Sequence, residues 1–352
     1  MLPAPVSTVP PSVPTGRPIR WGVVATGSIA VRVVQDLALL EDAVLHAVSS
    51  RTEAAARAFA DRFGFAEAYH DSGSTPGFEQ LLADPGVDVV YIATPHAQHH
   101  SIALAALLAG KHVLCEKPLT MNDTQAQQLA DIARTEGLFL MEAVWTRFLP
   151  SFRRALELLH SGEIGQPRWL QADLGFAPKY DPSSRTWDPA AGGGALLDLA
   201  IYPLTWALGT FGEPGSISAD GVLTREGVDL QTTLTLRYDD GAHAQLIMSL
   251  GAECPSTVTI AGTEGWLRSS APLFNPAELI VQPRRGVLRT ERFEAFGNGF
   301  VHELREVTRC LQAGLGSSPF MTPEESVRSM QLLDEAREQM GLRYPSEAIS
   351  EV

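Results

Sequence analysis

The chain has 352 residues, a formal net charge of −14 and a hydrophobic content of 45%. That length suggests two domains of roughly 150 residues each, with enough apolar content for a sizeable core. The acidic balance, with no Lys/Arg run, excludes a nucleic-acid footprint and favours repulsion from anionic membranes. It does not bar an anionic cofactor, which backbone amides and one arginine can hold.

Six prolines, Pro3, Pro5, Pro10, Pro11, Pro14 and Pro18, crowd residues 1–18. This stretch lacks the charged start and apolar middle of a signal peptide and reads as an extended N-terminal arm. No apolar run reaches the ~18 residues needed to span a membrane. Cys115, Cys254 and Cys310 are odd in number and widely spaced. They fit reduced thiols in a cytoplasmic protein better than a disulfide framework or a zinc site.

Across residues 19–150, short apolar runs alternate with helical stretches. The runs are Trp21 to Ala25, Ala43 to Ser49, Val87 to Thr94, His112 to Cys115 and Leu138 to Val144. Between them lie Ile29 to Leu40, Glu53 to Phe63, Ser101 to Ala109 and Asp123 to Glu136. Continuous apolar strands alternating with helices predict an α/β domain, a parallel sheet covered on both faces. Gly64, Gly110 and Gly137 follow helical patterns where a C′ glycine is expected. Asn122 with Gln125 predicts an N-cap.

Residues 151–352 read as an α+β domain. Strands are predicted over Arg168 to Leu174, Gln231 to Arg237, Ala242 to Ser249, Thr257 to Ala261 and Glu278 to Gln282. Asp239-Asp240-Gly241 and Thr263-Glu264-Gly265 are hairpin turn signals, which predict an antiparallel sheet. Helices are predicted over Phe152 to Leu159, Ala195 to Leu208, Glu303 to Leu311 and Glu324 to Met340. The last could return to either domain.

The turn Ala25-Thr26-Gly27-Ser28-Ile29-Ala30 resembles G-x-G-x-x-A, with Ala25 in the first glycine position. Gly27 allows close approach of a pyrophosphate, and the amides of Ser28 and Ile29 point at it. The second strand ends Ser49-Ser50-Arg51-Thr52, with no acid before Glu53. An NAD site places a carboxylate there for the ribose 2′-hydroxyl; Ser50 and Arg51 suit a 2′-phosphate instead, so NADP is expected over NAD. The bland alternative is a solvated arginine opening a helix. Thr94, Pro95 and His99 follow a strand at the carboxyl edge and are expected beside the cofactor; helix capping is the alternative. A metal reading of His96, His99 and His100 is set aside, since no carboxylate or thiol lies nearby in sequence.

Lys117 ends a buried strand, where partial burial favours proton sharing near neutral pH. Glu116 alternates to the opposite side and is expected to make a structural or cofactor contact. Asp198 and Tyr202 are four apart and share a helix face, after the triple glycine Gly192-Gly193-Gly194. A lysine cation beside a tyrosine stabilises the phenolate, which suits general acid/base work on a hydroxyl. Core packing is the bland alternative for Tyr202. Trp145 offers a flat face and Arg147 a fork for substrate oxygens. Phe176, Arg185 and Trp187 are further substrate-side candidates, with aromatic core packing the alternative.

Glu116-Lys117-Pro118, the Gly-Gly-x-Leu-Leu-Asp stretch ending at Asp198 and the closing Asp334-Glu335-Ala336-Arg337-Glu338-Gln339 run resemble the glucose-fructose oxidoreductase/inositol dehydrogenase (Gfo/Idh/MocA) family. The resemblance covers about Arg20 to Pro345. It implies a Rossmann domain, an open antiparallel sheet domain, a cis Lys117–Pro118 peptide and a homodimer or homotetramer. Tyrosine at Tyr202, together with the Glu142 to Pro150 stretch, is similar to the branch of dimeric dihydrodiol dehydrogenases and NADP-dependent D-xylose 1-dehydrogenases. That branch implicates the lysine and tyrosine matching Lys117 and Tyr202 in catalysis. The expected activity is an NADP-dependent dehydrogenase for a cyclic polyol, an aldose such as D-xylose at C1 or a trans-dihydrodiol. Rival readings are a glycoside hydrolase using transient redox, an anhydrosugar or inositol oxidoreductase, and a non-catalytic NADP sensor. By analogy the arm could embrace a partner subunit.

Overall fold

A computed structural model describes residues 10–345. Residues 1–9 of the expected arm lie outside the described residues. The described residues divide into two compact units: residues 10–145 with Phe296–Met330, and Thr146–Ala295 with residues 331–345.

The first unit runs β1 (Ile19–Val24), α1 (Ser28–Leu37), β2 (Ala43–Ser50), α2 (Glu53–Phe63), β3 (Glu67–His70), α3 (Gly77–Ala83), β4 (Val89–Ile92), α4 (His99–Leu108), β5 (His112–Glu116), α5 (Asp123–Glu136) and β6 (Leu140–Ala143). The strands form one parallel sheet in the order β3-β2-β1-β4-β5-β6. β4 and β6 are buried throughout, as strands covered on both faces must be. The order reverses between β1 and β4, and such a sheet binds ligands at that crevice, beyond the carboxyl ends of the strands. Gly64, Gly110 and Gly137 all take positive φ, and the Asn122 side chain accepts the Gln125 amide at 2.9 Å, so the caps form where expected. β3 and α3 were not expected.

The second unit opens with α6 (Pro150–His160) and β7 (Pro167–Gly175), then α7 (Ala195–Leu199) and α8 (Ile201–Phe211). Here the structure corrects the single helix expected over Ala195 to Leu208, which breaks at Ala200. Pro203 has no N–H to give the Leu199 carbonyl, so the continuous ladder is interrupted there. β8 (Ser216–Leu223), β9 (Asp229–Arg237), β10 (His243–Ser249), β11 (Val258–Gly262), β12 (Gly265–Ser269), β13 (Glu278–Pro283) and β14 (Arg289–Arg292) follow. The eight-stranded sheet has the order β14-β13-β12-β11-β7-β10-β9-β8. It is mixed rather than purely antiparallel, because β7 and β10 pair in parallel. Leu170, Ala172, Leu234, Leu246, Ile260 and Leu267 bury one face, whereas Trp169, Gln171 and Gln245 on the other are exposed.

α9 (Val301–Gln312) belongs to the first unit, and α10 (Pro323–Met340) crosses from one unit's residues to the other's at Gln331. Arg305 on α9 donates to the Pro11 carbonyl at 2.6 Å, and Gln312 donates to the Arg17 carbonyl at 2.7 Å. The described half of the proline-rich arm is therefore bound within its own unit. No single helix among the described residues is long and apolar enough to cross a membrane.

Candidate active site

The carboxyl edge of the first unit's sheet gathers most of the residues expected at a dinucleotide. Ala25 takes φ 81°, the left-handed conformation that explains why glycine is usual at this position. Gly27 caps α1 without any side-chain hydrogen bond, and a Cβ placed on it would meet nothing within 4 Å. Gly27 and Ser28 are exposed. Open space in front of a bare helix N-terminus is what a pyrophosphate requires.

At the end of β2, the Ser50 hydroxyl lies 3.2 Å from that of Thr26, and Arg51 is exposed. Thr52 accepts the Ala55 amide and caps α2, while Glu53 pairs with Arg57 at 2.8 Å along that helix. The first acid after β2 is thus engaged on α2. Along the same edge, the Thr94 hydroxyl oxygen is buried with no hydrogen-bond partner among the described residues. The orphaned hydroxyl and the bare N-terminus both fit a bound dinucleotide.

His99 is fully buried, with Nδ1 2.8 Å from the Pro118 carbonyl and Nε2 2.9 Å from the Thr94 carbonyl. It braces the two loops that carry Thr94 and Lys117. His100 lies 2.7 Å from Gln128 Oε1, and the described residues hold no cluster of His, Cys, Asp or Glu able to take a metal. Glu116 is buried and accepts the Tyr91 hydroxyl at 2.7 Å and the Lys117 amide at 3.3 Å. Burial, then the Glu116 charge, pushes the Tyr91 phenol well up, so Tyr91 is a fixed donor. Lys117 is half-buried and begins a cis peptide to Pro118, the isomer the resemblance implied. Trp145 is buried and stacks on Phe300, with centroids 4.3 Å apart. Arg32 on α1 lies over the Phe300 ring at 5.2 Å. Phe300 was missed at the sequence level because it lies 155 residues from Trp145.

In the second unit, α7 and α8 carry Asp198 and Tyr202, both about nine-tenths buried. Arg185 Nη2 lies 3.6 Å from Asp198 Oδ1, so two expected substrate-side residues meet. The Tyr202 ring packs 5.1 Å from Phe274, whose carbonyl accepts the Thr146 hydroxyl at 2.7 Å. Phe274 was also missed; it sits in a loop with no periodic signal. Trp187 is buried against Tyr180, Phe176 is exposed and Arg147 is half-buried.

Comparison with known proteins agrees with this architecture. Residues 19–144 match the GFO_IDH_MocA model, described as an oxidoreductase family with an NAD-binding Rossmann fold. Residues 152–268 match the GFO/IDH/MocA C-terminal domain. The chain is an NAD(P)-dependent oxidoreductase. It belongs to the Gfo/Idh/MocA family. Trans-1,2-dihydrobenzene-1,2-diol dehydrogenase of Mus musculus is 37% identical over 339 residues, covering 94% of this chain and 99% of that protein. Its Homo sapiens counterpart is 34% identical, with the same shares covered. A structure of a point mutant of KijD10, a 3-ketoreductase from Actinomadura kijaniata, in complex with TDP-benzene and NADP, superposes with TM-score 0.83 at 28% identity, covering 92% of this chain and 98% of that one. An aldose-aldose oxidoreductase from Caulobacter crescentus, at TM-score 0.82 and 24% identity, covering 92% and 97%, shares the fold.

Proposed function

We propose that the protein is an NADP-dependent dehydrogenase that moves hydride between the nicotinamide and a hydroxyl-bearing ring carbon of a cyclic diol or sugar. The observation that carries this reading is the full-length likeness to enzymes named for trans-1,2-dihydrobenzene-1,2-diol. A trans-dihydrodiol is therefore placed first, and an aldose such as D-xylose oxidised at C1 second, which reverses the order expected from sequence.

When bound, the nicotinamide supplies the hydride chemistry. Gly27 and the amides of Ser28 and Ile29 would hold the pyrophosphate, and Ser50 with Arg51 the 2′-phosphate. Thr94 and Pro95 would border the dinucleotide, on loops that His99 braces. Glu116, held by Tyr91, fixes the backbone at Lys117. Lys117 and Tyr202 then share the proton of the reacting hydroxyl, as a general acid/base pair. Asp198, partnered by Arg185, orients a neighbouring hydroxyl. Phe176, Arg147 and Trp145 shape the substrate side.

The test is reduced-nicotinamide absorbance over a panel of trans-dihydrodiols, aldoses, inositols and anhydrosugars with each cofactor. The expected result is NADP reduction by trans-1,2-dihydrobenzene-1,2-diol, with weaker turnover of D-xylose. Hydrolysis of a glycoside with no net change in nicotinamide would contradict it.

A further inference from the structure

Asp229 opens β9 and is fully buried. Its Oδ2 accepts the Leu196 amide at 2.8 Å and the Thr232 hydroxyl at 2.6 Å. Burial pushes this carboxyl up, and the Thr232 hydroxyl and the Leu196 amide oppose the push. Leu196 lies in the first turn of α7, where backbone amides have no partner inside the helix. The residue at the N-cap, Gly194, has no side chain to offer. A carboxylate from the sheet, thirty-three residues further along the chain, takes that place.

The glycines fit this arrangement. Gly194 takes φ 107°, and a Cβ on it would lie 2.2 Å from Asp229 Oδ1. A Cβ on Gly193 would lie 2.5 Å from the Thr186 carbonyl oxygen and 2.6 Å from that of Arg185. The Gly194 amide donates to the Thr186 carbonyl at 3.0 Å, and the Tyr344 hydroxyl donates to the Gly193 carbonyl at 2.9 Å. Asp198 follows Leu196 by two residues, and Tyr202 is the second residue of the next helix.

We propose that Asp229 is a positioning residue: by capping α7 from the sheet it fixes the orientation of Asp198 and Tyr202. This rests on the reading that those two residues act on the substrate. The task needs an acceptor for the Leu196 amide, which the asparagine side-chain oxygen also supplies.

The experiment uses the full chain with NADP and trans-1,2-dihydrobenzene-1,2-diol, unlabelled or deuterated at the carbinol carbons. It records kcat, KM, the deuterium isotope effect on kcat, and NADPH affinity by fluorescence. Asp229→Ala is expected to lower kcat about 100-fold, the cost of misplacing a reacting group by roughly an ångström. The isotope effect should rise as hydride transfer limits the rate, and NADPH affinity should stay unchanged. Asp229→Asn should recover kcat to within about threefold of wild type, since the cap acceptor remains. Thr232→Val, which removes one anchor of the carboxylate, should lower kcat about tenfold with the same rise in isotope effect. It carries the test if Asp229→Ala fails to fold.

Wild-type kcat and isotope effect in Asp229→Ala, or in Thr232→Val where the former does not fold, would overturn the proposal. So would a fall in kcat with an unchanged isotope effect, which marks mere loss of folded enzyme, or an asparagine variant as slow as the alanine. Tyr202→Phe, assayed alongside, separates the two ideas. Full turnover in that variant removes the catalytic reading and the proposal together. Loss of turnover there, with none in Asp229→Ala, removes only the role of Asp229.

Discussion

Arg305 and Asp42 form a buried ion pair, with Nη2 2.7 Å from Oδ1 and side chains 12% and 2% exposed. The same guanidinium donates to the carbonyls of Pro11 and Ser12, and Asp42 also accepts the Thr15 amide and the Gln312 side chain. One pair thus ties α9, the start of β2 and residues 10–18 together.

Arg305→Ala leaves the Asp42 charge buried without its cation and should destabilise the protein by about 3 kcal/mol, the scale for breaking a buried pair. Burial alone would raise the Asp42 carboxyl. The bonds from Arg305, the Thr15 amide and Gln312 win and hold it well below the usual carboxylate range. A depressed folded value stabilises above the unfolded pKa of about 3.9 and is lost as pH falls through the folded one. Urea melts should therefore show the deficit at pH 7 and its shrinkage below about pH 4. An equal deficit at pH 3 would contradict the ion-pair account.

Ala25 holds a left-handed backbone that costs an L-residue roughly 1–2 kcal/mol and glycine little. Ala25→Gly should stabilise the protein by about 1 kcal/mol in urea melts, after allowing for the greater freedom of glycine in the unfolded chain. It should leave NADPH affinity equal or tighter. A destabilised variant would show that the strain is absent.

Glu303 is fully buried on α9, and neither carboxyl oxygen has a hydrogen-bond partner among the described residues. Burial, then the charges of Glu116 and Asp36, pushes its pKa well up. A raised folded value gives stability that is complete below the unfolded pKa, about 4.3, and is lost as pH climbs toward the folded one. Glu303→Gln keeps the shape and never ionises. Its stability relative to wild type should rise steadily from pH 4 to pH 8; a flat difference would contradict a neutral, buried acid.

Arg51→Ala should raise KM for NADP about 10- to 100-fold, the range for losing a charge-assisted contact, and leave KM for NAD within about twofold. Initial rates with both cofactors decide this. Equal effects on the two would remove the 2′-phosphate assignment.

The parallel sheet was readable because buried strands are continuous apolar runs and their helices end in glycine. β3, β8 and β14 lacked that signal. β14 reads Arg-Thr-Glu-Arg and is held at the sheet edge by pairs such as Arg292–Glu278 at 2.8 Å, so no apolar period marks it. The break at Ala200 was legible in Pro203. Asp229, Phe274 and Phe300 were not legible as site residues, because their partners lie 33, 72 and 155 residues away and no local pattern encodes such contacts.

The most direct test of the central claim is single-turnover hydride transfer by Tyr202→Phe, with NADPH affinity measured on the same sample. Loss of a positioned proton acceptor should slow transfer about 10²- to 10⁴-fold while affinity stays within about twofold. Transfer at the wild-type rate would show that the Tyr202 hydroxyl does not carry the proton.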